Sequence, residues 1–525
     1  MSAADRITTW ALQLAGLGAL GALAACQSLD PSADVARAGA TVEARTGVRP
    51  GWDAAPGGQW DGSSSLGERA AVTIALRQSP MIRAELETIG AARADLVQSG
   101  LLPNPMLSVA LGFPLGGEQG AVSIGASAVQ QFSAIWLLPS RERGARAALD
   151  ERVLRVSDGA LRLAAEVRSM HAAIEAGQRE HHLLESRAGL AIQSLAIANE
   201  RSSIGESTVP ELAAAQALAA SAEAELIAHE AALEADKRRL LAMMGAPGAA
   251  ADFTAVLDAD DMFGIGVAGL DEPAVIALAT NQRLDVAAAL AAADVRASDV
   301  DIAALSRVPI GAGVDARRDE MKFEMAGPMF ELEVPIFDDG SARIAKASAE
   351  HRSARWNAAA TLHRAVGEAR IAWIQWRAAS RARETYETGA ARPSESAYEV
   401  AKESAAAGLV SGEELYAMES ELIETRMKLV EFELTERLAR IELDRAVGGS
   451  LRCHYPRLGV GSAQRVFGRH GVCRRVSSSS ATLASCSHFS NPRARSAENF
   501  SSISSTSSAV NSSWKLAMPV TPGLK

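Results

Sequence analysis

Few residues in this chain have the types and spacing that chemistry requires. His171, His181 and His182 share one helical stretch with Glu175 and Glu185, a set that could in principle hold a transition metal. Their spacing fits equally the solvated polar face of a long helix, which is the reading adopted here. Glu331 and Glu333 could be a carboxylate pair for acid–base work, but alternate residues of a strand facing water explain them better. Gly16, Gly18 and Gly21 spell GxGxxG inside an apolar run with no preceding strand, so no nucleotide site follows. The sequence contains no Walker GxxxxGK[ST], GxSxG, HExxH or CxxC. No catalytic residue, metal ligand or cofactor site is assigned. The one residue with a clear chemical assignment is Cys26. Arg6 precedes an apolar run from Trp10 to Ala25 that ends Leu23-Ala24-Ala25-Cys26, a signal peptide closing on a lipobox. Residues 1–25 are read as cleaved, with a covalent lipid on Cys26.

Composition limits what the remainder can be. The chain has 525 residues, 48% hydrophobic and 22% charged, with a net charge of −10. That balance suits neither a polytopic helical membrane protein nor a nucleic-acid binder. After the signal no stretch is apolar for the ~20 residues of a helical span. Residues 451–525 carry ten basic residues, one acidic residue and 17 serines, so 26–450 carries −19. Cys453, Cys473 and Cys486 all lie in this tail, which is read as disordered or frame-shifted and receives no function.

The body is an internal duplication. Ile74-Ala75-Leu76 recurs as Ile276-Ala277-Leu278, and Glu166-Val167-Arg168 as Glu368-Ala369-Arg370, both at an offset of 202. Gly205 and Gly245 recur as Gly408 and Gly448 at an offset of 203. Each half runs helix, strand, strand, helix, helix. The first helical stretch (70–102, then 272–305) ends at proline. Alternating stretches follow at 106–113 and 121–132, and at 310–317 and 323–334, although Pro328 counts against the last strand, since proline is tolerated mainly at edges and bulges. A proline-free tract from Ser140 to Ser203 could reach roughly 96 Å. The return helix carries a seven-residue seam, with Leu212, Ala219, Leu226, Leu233 and Leu240 in the first half and Leu415, Leu422, Leu429 and Leu443 in the second. His229, Asp236 and Glu436 interrupt these seams, and Pro393 is expected to kink the second tract or start a new helix.

The lipobox, the Ala75–Pro80 helix leading to Leu102-Pro103-Asn104-Pro105, the tandem halves and the two glycine turns together resemble the TolC-like outer-membrane efflux proteins, over about residues 66–450. The fold class expected is mainly α with a membrane β-barrel contribution. The resemblance implies that the duplicated helix–strand–strand–helix–helix halves form a homotrimer with a 12-stranded β-barrel and a long α-helical periplasmic tunnel. Physics agrees on the pooling: four strands are fewer than the ~8 of the smallest outer-membrane barrels, and open edges are excluded from lipid. The expected organisation is a lipidated N-terminal linker (26–65), a first repeat (66–250), an inter-repeat linker (251–271) and a second repeat (272–450). Implied partners are a periplasmic adaptor, an inner-membrane pump of the resistance-nodulation-division type and outer-membrane lipid, in a passive conduit for metal cations or drugs. Pro103-Asn104-Pro105 looks most like the heavy-metal branch. A lipid-anchored periplasmic coiled-coil adaptor or scaffold is the alternative, but it leaves the strand pairs unexplained.

The adaptor is expected to dock on the turns at the far end of the helices, Ile204-Gly205-Glu206-Ser207 and Ala407-Gly408-Leu409-Val410-Ser411. Glycine supplies the left-handed helix end, and Ser207 or Ser411 can cap the next helix. Leu409 and Val410 are apolar at a tip expected to be exposed. Glu211, Glu413 and Glu414, with Glu206, are expected to form an acidic mouth.

Overall fold

A computed structural model of the chain describes residues 28–52, 60, 65–113, 122–257, 270–318 and 324–449. Cys26, the signal segment and the tail lie outside these residues. The first half runs α1 (Ser32–Thr46), β1 (Leu66–Gly67), α2 (Glu68–Gln78), α3 (Pro80–Ser99), β2 (Met106–Gly112), β3 (Ser123–Gln131), α4 (Ser133–Ser203) and α5 (Val209–Met243). After β4 (Ala255–Val256), the second half runs α6 (Glu272–Gln282), α7 (Leu284–Leu305), β5 (Ile310–Arg318), β6 (Glu324–Leu332), α8 (Ser341–Tyr386), α9 (Arg392–Ala406) and α10 (Gly412–Ala446). The duplication is therefore structural. α2 and α6 are both 11 residues long, and α5 and α10 are both 35.

Local chemistry sets the helix boundaries. Pro80 and Pro273 sit in the first turns of α3 and α6, where a missing N–H costs least. Asp271 caps α6 by accepting from the Ala274 N–H at 2.9 Å. α4 starts at Ser133, seven residues earlier than the proline-free tract suggested, and carries Pro139 inside it. Proline so near an N-terminus costs one intrahelical bond, and a helix of 71 residues, about 107 Å long, absorbs that loss. Pro393 opens a new helix, one of the two outcomes expected for it. A π-helical turn, Glu387–Ala391, widens the helix just ahead of it, and α9 continues with Pro393 in its first turn.

The main core lies part-way along α4, where Leu149, Val153, Val156, Leu163 and Ile174 meet α1, α2 and α3. The segment 26–65, read as a linker, is here partly core. Ala38 and Val42 of α1 are fully buried, and the Trp52 indole N–H donates to the Leu76 carbonyl at 2.7 Å. Part of the inter-repeat linker is likewise ordered. β4 pairs parallel with β1, Leu66 against Ala255, and Phe253 is buried. Such two-residue strands have no periodicity to read. A smaller core of Val275, Ala279, Ala369, Trp373 and Leu443 serves the second half.

Gly245 and Gly448 end α5 and α10 with φ of +76° and +89°. Each is pressed against the break between the two helices that open its half: an added Cβ would lie 2.7 Å from the Gln78 carbonyl oxygen, or 2.8 Å from the Gln282 carbonyl carbon. Neither obstacle can rotate away. Gly205 has a similar φ of +79° but faces open space. Gly245→Ala is therefore expected to cost at least about 3 kcal/mol and Gly205→Ala only about 1 kcal/mol, by denaturant unfolding. Equal losses would show that the conformation alone, and not the close approach, requires glycine.

Candidate functional site

Two features have the geometry of a function: a four-stranded sheet at one end of α4 and a pair of helical turns at the other. The sheet is antiparallel in the order β2-β3-β5-β6, so two hairpins, one from each half, join through β3 and β5. Register fixes what shares a face. Leu107 pairs with Ala128, which pairs with Val314, which pairs with Pro328. Ile310, paired with Leu332, and Ala312, paired with Phe330, continue this side. The middle of this face is thus apolar on all four strands, with Gln130 toward one end and Arg318 and Glu324 toward the other. The other pairs Ser108 with Ser127 and Ser127 with Asp315, and it holds Gly313, Arg317 and Glu331. Arg317 lies 2.7 Å from Asp315 and neutralises it, and the Gln131 amide donates to the Glu331 carboxylate at 3.4 Å.

An apolar face outward and a small, polar face inward is the pattern of a strand between lipid and an aqueous lumen. Leu107, Phe330 and Leu332 are all exposed in the single chain. β2 and β6 are the unpaired edges, and Pro328 lies in β6, where an edge strand tolerates it. No helix among the described residues is long and apolar enough to cross a membrane.

At the other end, both turns close as Schellman motifs. The Glu206 N–H donates to the Arg201 carbonyl at 2.8 Å, and the Leu409 N–H to the Ser404 carbonyl at 2.9 Å. Gly205 and Gly408 supply φ of +79° and +73°. Ser411 caps α10 as expected, within a capping box completed by Glu414. In the first half the cap is Thr208, not Ser207, and Glu211 completes the box. The Ser207 hydroxyl donates instead to the Glu211 carboxylate at 3.1 Å. The Thr208 backbone N–H, followed by the Ser207 hydroxyl, holds the Glu211 carboxyl below the usual carboxylate range.

The structure brings the two turns together, with Arg201 at the end of α4 lying 3.7 Å from Glu413 at the start of α10. Of the acids expected to form a mouth, Glu211 and Glu414 are therefore folded back on their own helix starts and Glu413 faces Arg201. Glu206 is exposed. Leu409 is 81% exposed, whereas Val410 is half-buried. The sequence reading missed Val209, which is 83% exposed beside the first turn, and Ile204 is exposed next to it.

Between the two ends, α5 and α10 lie along α4 and α8 on their expected seams. Ala219, Ala222 and Leu240 are buried on α5, and Leu422 and Leu443 on α10. Glu436, where the seam called for an apolar residue, is bonded to Arg383. The solvated-face reading fails for His171 and Glu175, which are both buried. His171 is buried and its Nε2–H donates to the Leu66 carbonyl at 2.8 Å, pinning β1, while Glu175 is paired with Arg179 and Arg437. His181 and His182 both lean on Glu185. No group of three or more possible metal ligands occurs among the described residues.

An open sheet with lipid-type and lumen-type faces, standing on a duplicated hairpin of very long helices, is the fold of the TolC-like outer-membrane channels. Solved structures bear this out. A membrane protein from Pseudomonas aeruginosa superposes with a TM-score of 0.61 at 18% identity, covering 75% of this chain and 98% of its own. The transmembrane channel CusC gives 0.60 at 17% identity, over 76% and 98%. The outer-membrane protein VceC from Vibrio cholerae gives 0.57 at 18%, over 73% and 96%. No protein-family model and no curated protein matches the chain by sequence.

Proposed function

We propose that the chain is the outer-membrane channel of a tripartite efflux system, a passive conduit working as a homotrimer. The observation that carries this is the sheet. Its two faces suit lipid and water, but four strands with two open edges cannot stand in a bilayer alone. β3 and β5 already join the two halves edge to edge, and the free edges β2 and β6 are the corresponding strands of the opposite halves. Three copies joined β6 to β2 close a 12-stranded barrel. Below the barrel, helices about 107 Å long carry the conduit into the periplasm. A coiled-coil adaptor or scaffold has no use for the sheet.

The partners follow from this reading: a periplasmic adaptor at the turns, an inner-membrane pump of the resistance-nodulation-division type, and outer-membrane lipid reached by the barrel and by an acyl group on Cys26. The conduit passes metal cations or drugs. The acidic body and Pro103-Asn104-Pro105 favour cations, and Glu331 adds a carboxylate on the lumen-type face. The purified, detergent-solubilised protein is expected to give discrete single-channel currents in a planar bilayer and a mature mass that includes lipid. A silent bilayer with a soluble, elongated helical species would overturn the channel reading in favour of the adaptor.

A further inference from the structure

A cavity of about 660 Å³ lies where the two halves meet, at the break between α6 and α7. The end of α1, the start of α2, parts of α4 and α8 and the last turns of α10 complete its wall. Seven arginines line it against five carboxylates, a surplus of two positive charges. Cations from outside the lining also claim two of those carboxylates, with Arg437 bonding Glu68 at 2.8 Å and Arg440 lying 3.5 Å from Asp444. Arg45 is the least compensated. It is half-buried and pairs with no carboxylate among the described residues. Its Nη1 donates instead to the Gln282 carbonyl at 2.5 Å and to the Gly448 carbonyl at 2.9 Å. Burial accordingly pushes its guanidinium below the ordinary value. Arg364 has Glu368 as its one ion-pair partner among the described residues, at 3.9 Å, and Glu368 is already bonded to Arg283 at 2.6 Å.

The duplication provides an internal control. The break between α2 and α3 matches that between α6 and α7, and Gly245 presses on the first as Gly448 does on the second. Between the helices Ser79 stands in the first half where Arg283 stands in the second. Counted back from the two glycines, Leu241 and Ala242 stand where Asp444 and Arg445 do. A break of this kind therefore forms without charge. The charges around the second one are additional to building it.

We propose that this cavity binds a soluble oxyanion carrying two negative charges, of the phosphate or phosphate-monoester class. Two negative charges balance the surplus, and guanidinium forks grip such oxygens in pairs. The volume leaves room for the organic part of a monoester. Lipid is too far away. α7 rises from the cavity towards the sheet over 22 residues, about 33 Å, so a headgroup beside the sheet does not reach it. The chain's own continuation beyond Gly449 has the wrong sign, with ten basic residues and one acidic in 451–525. An occupant held by Arg45 and Arg162 of the first half and by Arg364 of the second bridges the halves, so binding stabilises their junction. Only the exclusion of lipid rests on the membrane-embedded sheet proposed above.

The test is calorimetric titration of the full-length protein in detergent with inorganic phosphate and with glycerol phosphate, chloride keeping the ionic strength constant. Both probes are expected to bind saturably, at one site per chain. Arg162→Gln combined with Arg364→Gln is expected to weaken binding at least about tenfold. Both side chains are more than half exposed, so the fold is expected to survive their loss, which helix content by circular dichroism checks. Arg45→Gln is expected to weaken binding as much. Micelles of a short-chain phosphatidic acid are expected to bind no more tightly than glycerol phosphate. Absence of saturable binding, or equal affinity in the parent and the double variant, overturns the site. Binding of the lipid alone overturns the assignment to a soluble anion. A protein that conducts but does not bind phosphate loses only this inference, whereas one that binds phosphate but does not conduct loses only the channel.

Discussion

Val209→Asp combined with Leu409→Asp is expected to abolish efflux, returning resistance to both metal ions and dyes to the level of a strain lacking the protein. The reason lies in how completely these side chains face water. Both are over 80% exposed at the tip where the Arg201–Glu413 contact holds the two turns side by side. Neither has a task in the turn itself, since glycine φ, Schellman bonds and the Thr208 and Ser411 caps close both turns without them. Isolated exposed apolar residues are ordinary, but with Ile204 these make a cluster at the end of the molecule farthest from the sheet. Covering two such side chains with a partner contributes about 4 kcal/mol, or roughly a thousandfold in affinity. Aspartate removes that gain and adds a charge that the partner would have to desolvate. Trimers, lipidation and conductance are expected to survive, because nothing that builds them is touched. Efflux that continues unchanged would return both turns to a purely structural role. Resistance lost to metals alone, or to dyes alone, in the deletion strain would settle the substrate class independently.

What could be read in advance followed the range of the interactions involved. The duplication, the four long strands and the seams are repeating patterns, and they stand where periodicity put them. Local capping was also legible in principle. Thr208 and Ser411 each precede a glutamate by three residues, the capping-box spacing, whereas Ser207 precedes Pro210 at that distance, which favours Thr208 as the cap. Other features have no local signature. α1 is a 15-residue helix with only Ala38 and Val42 as its buried apolar stripe, and it becomes a core element by packing them into the core built on α4. The ion pairs that join the halves connect residues up to 369 positions apart, as in Arg437 to Glu68. Val209 was passed over because its exposure depends on where its helix begins.

Removing a side chain that links the two halves has a large expected effect on stability. Arg168→Ala is expected to destabilise the protein by about 3 kcal/mol, whereas Arg155→Ala on the same helix costs less than about 1 kcal/mol. Arg155 is more than half exposed and pairs only with Glu151 one turn away. Arg168 instead joins three helices, bonding Glu68 of α2 at 2.6 Å and Asp444 of α10 at 3.1 Å, with both carboxylates largely buried. The start of α2 in the first half is thus tied to the last turns of the second half. Without the guanidinium, Glu68 keeps Arg437 at 2.8 Å and Asp444 keeps Arg440 at 3.5 Å, which holds the loss near the lower end for a broken buried pair. The acid side gives an independent reading. Burial raises the Glu68 carboxyl, but Arg168 and Arg437 outweigh burial and hold it below its ordinary value of about 4. A depressed carboxylate contributes stability above its unfolded value and loses it as pH falls through the folded one. Arg168→Ala removes the largest of those lowering influences, so acid unfolding is expected to begin at a higher pH than in the parent chain, while Arg155→Ala leaves its onset in place. Coincident acid transitions in all three proteins would mean that the network is solvated, and that packing of α10 on α4 alone holds the halves together.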